Sequence, residues 1–429
     1  MPWDFSTEPE FEQKLAWMRT FVREEIWPLE VLDEAGRETL WGIIRGLQEE
    51  VKRQGLWAAH LPPDLGGQGF GQVKLALMHE IIGTTRIAPF VFGNQAPDSG
   101  NAEIIALVGT DEQKKKWLYP LLDQQLLSAF SMTEPTAGAD PTMLKTTAVL
   151  DGDEWVINGH KWFSSNAVVC DFLIVMVVTD PAAEPHRRAS MIIVPKATPG
   201  VNVLRNIPTM DAEEKRFGFG HSEVLYENVR VPQGNLLGKP GDGFTIAQLR
   251  LGPGRIHHCM RWIGQAQRAF DMMCERALQR QIGGATLSRK QTVQNWIADS
   301  AAEMQAARLM TMHAAWRMDR EGAKAARTDI GMIKYFGAKV LYDVIDRAIQ
   351  IHGSLGYSGD LPLEEMYRRA RAGRIYDGPD EVHRVAVARQ ILRRYTAPEG
   401  IWPRDHIPTR RAAARAKFAH LLDVATANQ

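Results

Sequence analysis

The feature that most constrains the fold of this chain is a change in its hydrophobic period, which occurs twice. Up to about residue 125, apolar residues recur at helical spacing, as at Phe11, Leu15 and Met18. From about 126 to 240 the chain consists of short β-rich runs, and helical spacing then returns until about residue 397. An order of helices, strands and helices predicts an α+β multi-domain protein in which a β-domain lies between two helical domains.

We place the domains at 1–125 (N-terminal helical), 126–240 (middle β) and 241–397 (C-terminal helical), followed by a tail at 398–429. The middle region carries two turn signals, Asp151-Gly152 and Asn158-Gly159, which predict β-turns between strands. Several short strands with regular turns predict a compact antiparallel barrel or sandwich.

Composition excludes several classes of protein. Lys plus Arg and Asp plus Glu both number 51, so the formal net charge is zero and favours neither nucleic acid nor an anionic membrane. The longest apolar run, FLIVMVV, is too short to span a bilayer. The acidic N-terminus has no export signal, and three cysteines fit a reducing compartment, so we expect a cytoplasmic protein.

Two motifs near the start of the β-domain combine small, polar and aromatic residues. FSMTEPTAGAD (130–140) could bring backbone amides and a hydroxyl close to a flat polar ring or a phosphate, or it could be a plain surface turn. GHKWFSSN (159–166) could line an aromatic cofactor, or it could be a strand with one core aromatic and surface serines.

Two further motifs lie in the C-terminal helical region. In LGPGRIHHCMR (251–261), Gly252, Pro253 and Gly254 predict a break in the chain ahead of Arg255, which could orient an anion or lie in solvent. The two histidines that follow are adjacent, so we predict no metal site there. In QIHGSLGYS (350–358), the glycines could end a helix or let the backbone approach a phosphate.

The stretch RIYDGPDEVHR (374–384) places Asp377 ahead of a helix-like run. Asp377 could be the cap of that helix, because Pro379, Asp380 and Glu381 suit a first turn. It could also be the base of an enzyme, since a carboxylate held at a helix start can face a cleft. The two roles are compatible.

Taken together, these motifs resemble the acyl-CoA dehydrogenase family over about residues 10–397. LPPDLGGQGFG (61–71) is similar to the proline-and-glycine loop of the family's N-terminal domain, and GNLLGKPGDGF (234–244) to the turn that opens its C-terminal four-helix-bundle domain. MTEPTAGAD and GHKWFSSN resemble its flavin-binding segments. IYDGPDEVH resembles the branch of the family whose base is aspartate.

The resemblance implies an FAD enzyme that converts an acyl-CoA thioester to a trans-2-enoyl-CoA. Asp377 would take the α-proton with a pKa raised by burial, Arg255 would lie near it, and the β-hydride would pass to the flavin. Phe163 would stack on the isoalloxazine ring. The other implied FAD contacts are Phe130, Met132, Thr133, Gly138, Ala139, Ser165, Arg280, Gln350, Gly353 and Pro379.

The resemblance also implies partners. Arg280 would reach FAD of a neighbouring subunit, so we expect a homodimer or homotetramer, and an electron-transfer flavoprotein would accept the electrons. The sequence departs from the family pattern at Asp377, which is often glutamate, and at Pro379, which is usually threonine. Ala139 and Gly283 also stand where many relatives have serine and phenylalanine.

Two other hypotheses stay open. An acyl-CoA oxidase or a nitroalkane-oxidising enzyme would share the fold and the flavin. A non-catalytic nucleic-acid-binding relative would use the basic tail, which contains Arg404, Arg410, Arg411, Arg415 and Lys417. The zero net charge weighs against nucleic-acid binding.

Overall fold

The computed structural model describes residues 3–32, 36–210 and 219–422. The chain divides into two compact units, Met1–Arg384 and Val385–Gln429. The first unit contains helices, then a β-sheet, then helices, which confirms the predicted order of elements. The residue numbers at which we divided the domains stay predictions.

The N-terminal helices surround a core to which the apolar residues of the first helix contribute. Phe11, Leu15 and Met18 are all buried there, as their helical spacing predicts. Pro120 lies in the first turn of a short helix, Tyr119–Leu122, where proline is tolerated. The helices are α1 Pro9–Phe21, α2 Arg37–Arg53, α3 Gly71–Ile82, α4 Ala88–Val91, α5 Asp98–Val108, α6 Asp111–Gln113 and α7 Tyr119–Leu122.

The middle region forms one eight-stranded sheet with the order β6-β7-β3-β1-β4-β5-β8, and β2 pairs with both β3 and β4. Most pairs are antiparallel, as predicted, but β1 runs parallel to β4, a pairing that no local sequence signal indicates. The strands are β1 Ser128–Ser131, β2 Thr147–Asp151, β3 Glu154–Ser165, β4 Phe172–Val178, β5 Ala189–Pro195, β6 Val201–Asn206, β7 His221–Pro232 and β8 Leu236–Leu237.

The two turn signals of this region have different outcomes. Asp151-Gly152 forms the turn of the β2–β3 hairpin, as predicted. Asn158-Gly159 does not form a turn: β3 continues through it with a bulge. A Cβ atom at Gly159 would lie 2.6 Å from the Thr146 Cα, so glycine is needed there for close backbone approach, and the turn prediction was wrong.

The helices of the C-terminal region follow the sheet, and the longest of them crosses a hydrophobic core. They are α8 Gly243–Gln279, α9 Gln291–Glu321, α10 Arg327–His352, α11 Ser354–Tyr357, α12 Leu363–Ala372 and α13 Asp380–Leu392. The break predicted at Gly252–Gly254 does not occur, since α8 runs through Pro253. Packing of Ile256, Cys259 and Met260 into the core offsets the lost helical hydrogen bond.

One acidic side chain joins the N-terminal helices to the sheet. Asp98, at the start of α5, accepts hydrogen bonds from the Ser128 N–H (2.8 Å) and the Ser128 hydroxyl (2.6 Å). Asn101 on the same helix donates to the Ala129 carbonyl at 3.2 Å. These bonds fix β1 against α5, so the strand that begins the FSMTEPTAGAD motif has a defined position.

Helices α3 and α8 touch through glycine. A Cβ atom at Gly264 would lie 2.0 Å from the Glu80 carbonyl oxygen, which no real contact allows. We therefore expect Gly264→Ala to lower the free energy of unfolding by about 1–3 kcal/mol, although alanine is the better helix former. Denaturant unfolding measures this loss.

The matched control for that substitution is Gly46→Ala. Gly46 lies inside α2, and a Cβ atom there would meet nothing within 4 Å. This change should raise the free energy of unfolding by about 0.5–1 kcal/mol. Equal effects of the two substitutions would contradict close packing of α3 on α8.

The second unit contains the end of α13 and the helix α14 Ile407–Lys417, which carries the basic residues of the tail. Arg410 pairs with Asp405 at 3.1 Å, so part of this positive charge is neutralised within the tail itself. None of the helices in the described ranges combines the length and hydrophobicity needed to cross a membrane.

Candidate active site

The loop between α12 and α13 holds Asp377 in an unusual backbone conformation. Asp377 has a φ of +55°, which a non-glycine residue adopts only when its surroundings impose it. Its carbonyl oxygen accepts hydrogen bonds from Arg255 Nε (3.0 Å) and His383 Nε2 (3.1 Å). These bonds hold the strained residue in place.

A buried lysine holds the same loop through hydrogen bonds to its backbone. Lys334 on α10 is fully buried, and its ammonium group donates to the carbonyl oxygens of Gly373 (2.6 Å) and Gly378 (3.3 Å). The ammonium also lies 5.3 Å from the centre of the Tyr376 ring. Contacts on both sides of Asp377 therefore make the loop a rigid support.

Asp377 is not a helix cap. Helix α13 begins at Asp380, three residues later, and the Asp377 carboxylate lies 3.2 Å from His258 Nε2 instead. The side chain is 20% exposed, so the carboxylate is shielded but reachable. The helix-cap interpretation was wrong, and the geometry leaves the carboxylate available for chemistry.

Neighbouring groups decide the protonation state of Asp377. Burial would raise the pKa of its carboxyl, but the hydrogen bond from His258, the positive charge of that ring when it is protonated, and the positive charges of Arg250 and Arg255 outweigh burial. They hold the pKa well below its ordinary value, so the expectation of a raised pKa was wrong. Asp377 is therefore ionised, and in the form of a base, throughout the physiological pH range.

A cavity with polar walls opens beside Asp377. Burial raises the pKa of Glu103 in this wall to about 8, with only partial compensation by Arg250, so Glu103 is protonated at neutral pH. Within the described parts of the chain, His60 Nε2 and Arg250 Nε are buried without a hydrogen-bond partner. The groups that give the wall its polarity are His60, Glu103, Arg250, His257, His258 and Arg261.

Arg250 of the cavity wall contacts one strand of the β-domain. Phe130 on β1 pairs with Ser165 on β3, and the Arg250 guanidinium lies 4.2 Å from the centre of the Phe130 ring. Phe163, two residues before Ser165, is 41% exposed and has a φ of +55°. The structure therefore places Phe130, a predicted flavin contact, next to Arg250, and it places Ser165 of the second motif beside Phe130 on the neighbouring strand.

The loop after β1 is fixed by a buried ion pair. Lys161 Nζ lies 2.9 Å from Glu134 Oε1 and donates to the Met132 carbonyl at 2.8 Å. Glu134 also accepts hydrogen bonds from the backbone N–H groups of Lys145 and Thr146. The Trp162 N–H donates to the Thr133 carbonyl at 2.8 Å, so Met132 and Thr133 are held against β3.

The loop exposes two small residues, and in the part of the chain that the structure describes a buried donor lies unpaired on the neighbouring strand. Gly138 and Ala139 are exposed, and a Cβ atom at Gly138 would meet only Thr133 Cγ2, at 3.9 Å. Trp162 Nε1 is buried and has no hydrogen-bond partner among the described residues. An exposed aromatic, small loop residues and an unpaired donor fit a flat heteroaromatic cofactor such as FAD.

The remaining predicted residues lie at the ends of elements. Arg280 ends α8, Gln350 lies in the last turn of α10, and Gly353 is the C-cap of α10 with a φ of +65°; all three are exposed. None of them joins the hydrogen-bonded groups around Asp377. Pro379 lies in the Asp377 loop, immediately before α13.

Reasoning from sequence placed Arg255 near Asp377 but missed His258, the partner of its carboxylate, and Arg261 beside that ring. His258 and Arg261 were considered only as part of a chain break or as a poor metal pair, yet they lie three residues apart on one continuous helix. That spacing places their side chains next to each other. Recognising that α8 continues through Pro253 would have revealed the pair.

Comparisons with known proteins agree over most of the chain. Family models for the acyl-CoA dehydrogenase N-terminal, middle and C-terminal domains match residues 8–125, 129–229 and 241–392. The probable acyl-CoA dehydrogenase FadE2 of Mycobacterium tuberculosis is 46% identical over 356 residues, which cover 82% of this chain and 86% of that protein. Human acyl-CoA dehydrogenase family member 11 is 41% identical over 395 residues. That match covers 89% of this chain but 50% of the human protein, so the chain spans about half of that relative's length.

Solved structures show the same fold. Butyryl-CoA dehydrogenase from Megasphaera elsdenii aligns with a TM-score of 0.79 and 28% identity, covering 91% of this chain and all of that one. A chain from a structure described as the electron transferring flavoprotein of Acidaminococcus fermentans aligns with a TM-score of 0.78 and 29% identity. It also covers 91% of this chain and all of the other.

Proposed function

Because this chain belongs to the acyl-CoA dehydrogenase family, we propose that it converts an acyl-CoA thioester to the trans-2-enoyl-CoA. The observation that carries the proposal is the rigidly held Asp377 carboxylate. It lies in the wall of a cavity that Arg250 also lines, and the Arg250 guanidinium contacts the ring of Phe130. The α-carbon loses a proton and the β-carbon loses a hydride. FAD, when bound, supplies the acceptor for that hydride.

Asp377 takes the α-proton in this proposal. A carboxylate with a lowered pKa is a weak base, so the α-proton must be made more acidic by polarising the thioester carbonyl. Arg255 acts through the backbone, since its Nε donates to the Asp377 carbonyl oxygen and so fixes the strained residue. Its role is therefore to position the base and its loop.

The proposed FAD contacts form two groups. Phe130, Met132, Thr133, Phe163 and Ser165 would hold the isoalloxazine ring, and Gly138 and Ala139 would lie along the pyrophosphate. The family resemblance adds Arg280, Gln350, Gly353 and Pro379, of which Arg280 would serve the FAD of a second subunit. A homodimer or homotetramer and an electron-transfer flavoprotein as electron acceptor belong to the same proposal, and a cytoplasmic location stays a prediction.

The polar wall of the cavity predicts which acyl chains the protein prefers as substrates. A plain alkyl chain would leave His60 Nε2 and Arg250 Nε without partners, at a cost of about 1–3 kcal/mol for each buried group. An acyl chain that carries a hydroxyl or another polar group could pair with them. We therefore expect the polar member of a pair of thioesters of equal length to be the better substrate.

The test is an anaerobic absorbance titration of the FAD-loaded protein with pairs of acyl-CoAs, one plain and one hydroxylated in each pair. We expect the flavin band to bleach, with a kcat/KM about tenfold or more higher for the hydroxylated thioesters, since 1.4 kcal/mol corresponds to tenfold. A flavoprotein that no thioester bleaches would contradict the proposed activity. A protein that cannot be loaded with FAD would support a non-catalytic role.

A further inference from the structure

A chain of two hydrogen bonds runs from Arg261 through His258 to Asp377. Arg261 Nη2 lies 2.8 Å from His258 Nδ1, and His258 Nε2 lies 3.2 Å from Asp377 Oδ2. A guanidinium group can only donate hydrogen bonds, so His258 Nδ1 must accept one and carries no proton. The proton of a neutral His258 ring is then on Nε2, where it points to the carboxylate.

Arg261 is itself held in place. Its second terminal nitrogen, Nη1, lies 3.0 Å from His79 Nδ1 on α3 and 3.4 Å from the Asn94 carbonyl oxygen. The backbone of Arg261 also touches α3 closely, since a Cβ atom at Gly83 would lie 2.3 Å from the Arg261 Cα. The guanidinium therefore has a fixed direction, and its donation to His258 is a consequence of helix packing rather than of a mobile surface side chain.

We propose that Arg261 is a positioning residue that fixes His258 in the neutral tautomer with its proton on Nε2, so that His258 orients Asp377 without forming an ion pair with it. The inference rests on the proposed function, in which Asp377 is the base. It adds two residues, Arg261 and His258, to the apparatus that prepares that base.

A neutral His258 leaves Asp377 better able to accept a proton than a charged His258 would. An imidazolium at position 258 would share its proton with the carboxylate and lower the basicity of Asp377 further. A neutral imidazole donates one hydrogen bond and leaves the second carboxylate oxygen free to take the substrate proton. Once Asp377 is protonated, the neutral imidazole remains uncharged, so His258 adds no positive charge to a cavity that already contains Arg250 and Arg261.

The charges that face His258 are consistent with a neutral ring. Burial lowers the pKa of His258, the positive charges of Arg261 and Lys334 lower it further, and Asp377 opposes them. The titratable and charged groups around the ring are Arg261 and His257 on α8, Asp377 and Tyr376 on the loop, Lys334 on α10 and His79 on α3.

The test observes the ring directly, by nitrogen NMR of the full-length protein labelled with [15N]histidine. The His258 signals are assigned by their absence in His258→Gln. In the wild type we expect the pattern of a neutral Nε2–H tautomer across about pH 5–8, without titration. In Arg261→Met, which removes the donor to Nδ1, the midpoint of His258 should rise by about 1–3 pH units.

Arg261→Gln is the matched variant, because its amide can still donate to Nδ1 and the ring should stay neutral. A wild-type His258 with its proton on Nδ1, or one that titrates as an imidazolium above pH 6, would overturn the proposal, as would an Arg261→Met protein with unchanged His258 signals. The wild-type spectrum decides the tautomer even if Arg261→Met does not fold. Because this readout needs no turnover, the proposed dehydrogenation and this inference fail separately.

Discussion

Replacing Asp377 with asparagine should slow flavin reduction by acyl-CoA about 10³- to 10⁴-fold, while FAD binding is retained. An amide cannot take up the α-proton. Its oxygen can still accept the hydrogen bond from His258 Nε2, and the backbone bonds from Arg255 and His383 do not involve the side chain. The loop should therefore keep its conformation, and anaerobic stopped-flow absorbance measures the loss.

Glu103 provides the matched control, since it is a second carboxyl in the wall of the same cavity. Burial raises its pKa to about 8, so it is protonated at neutral pH and unsuited to be the base. Glu103→Gln should change the rate of flavin reduction by less than about tenfold. A large loss in Glu103→Gln together with a native rate in Asp377→Asn would assign the base to Glu103 instead.

Replacing Lys161 with methionine should lower the free energy of unfolding by about 3–5 kcal/mol. Lys161 is fully buried and Glu134 nearly so, and the substitution leaves a buried carboxylate without its cation. Burial would raise the pKa of Glu134, but Lys161 and the Thr146 N–H hold it below its ordinary value, so the carboxylate is charged in the native protein. The measurement is equilibrium unfolding in denaturant at neutral pH.

The control for this second substitution is Lys339→Met, which removes a lysine from an ion pair with Asp343 on the surface of α10. The Lys339 side chain is 56% exposed, and such pairs contribute about 0–1 kcal/mol. Equal losses in the two variants would contradict the role of the Lys161–Glu134 pair. Because Lys161 also donates to the Met132 carbonyl oxygen, Lys161→Met should also weaken FAD binding.

The parts of the fold that were predictable are those in which local pattern and tertiary packing agree. The helical spacing in α1 and the Asp151-Gly152 turn each match the structure. The apolar run of β4 is buried on both faces because its residues alternate between two hydrophobic clusters, one on each side of the sheet. Non-local features were not predictable, above all the parallel pairing of β1 with β4.

Two of the mistaken predictions share one physical cause. At Pro253 and at Gly159, a residue with a strong local preference for a break or a turn lies inside a long element that tertiary contacts stabilise. The direction of the pKa shift of Asp377 likewise depends on tertiary contacts that the sequence does not reveal. Burial alone predicts a rise, and only the structure shows that His258, Arg250 and Arg255 converge on the carboxylate from residues over a hundred positions away.

The central claim is that Asp377 removes the α-proton, and hydrogen exchange in D₂O tests it most directly. An acyl-CoA analogue with sulfur in place of the β-carbon cannot lose a β-hydride, so any reaction stops at α-proton removal. At equal occupancy by FAD and analogue, the wild type should exchange the α-hydrogens for deuterium, as measured by NMR, and Asp377→Asn should not. Exchange at the same rate in both proteins would contradict the assignment of Asp377 as the base.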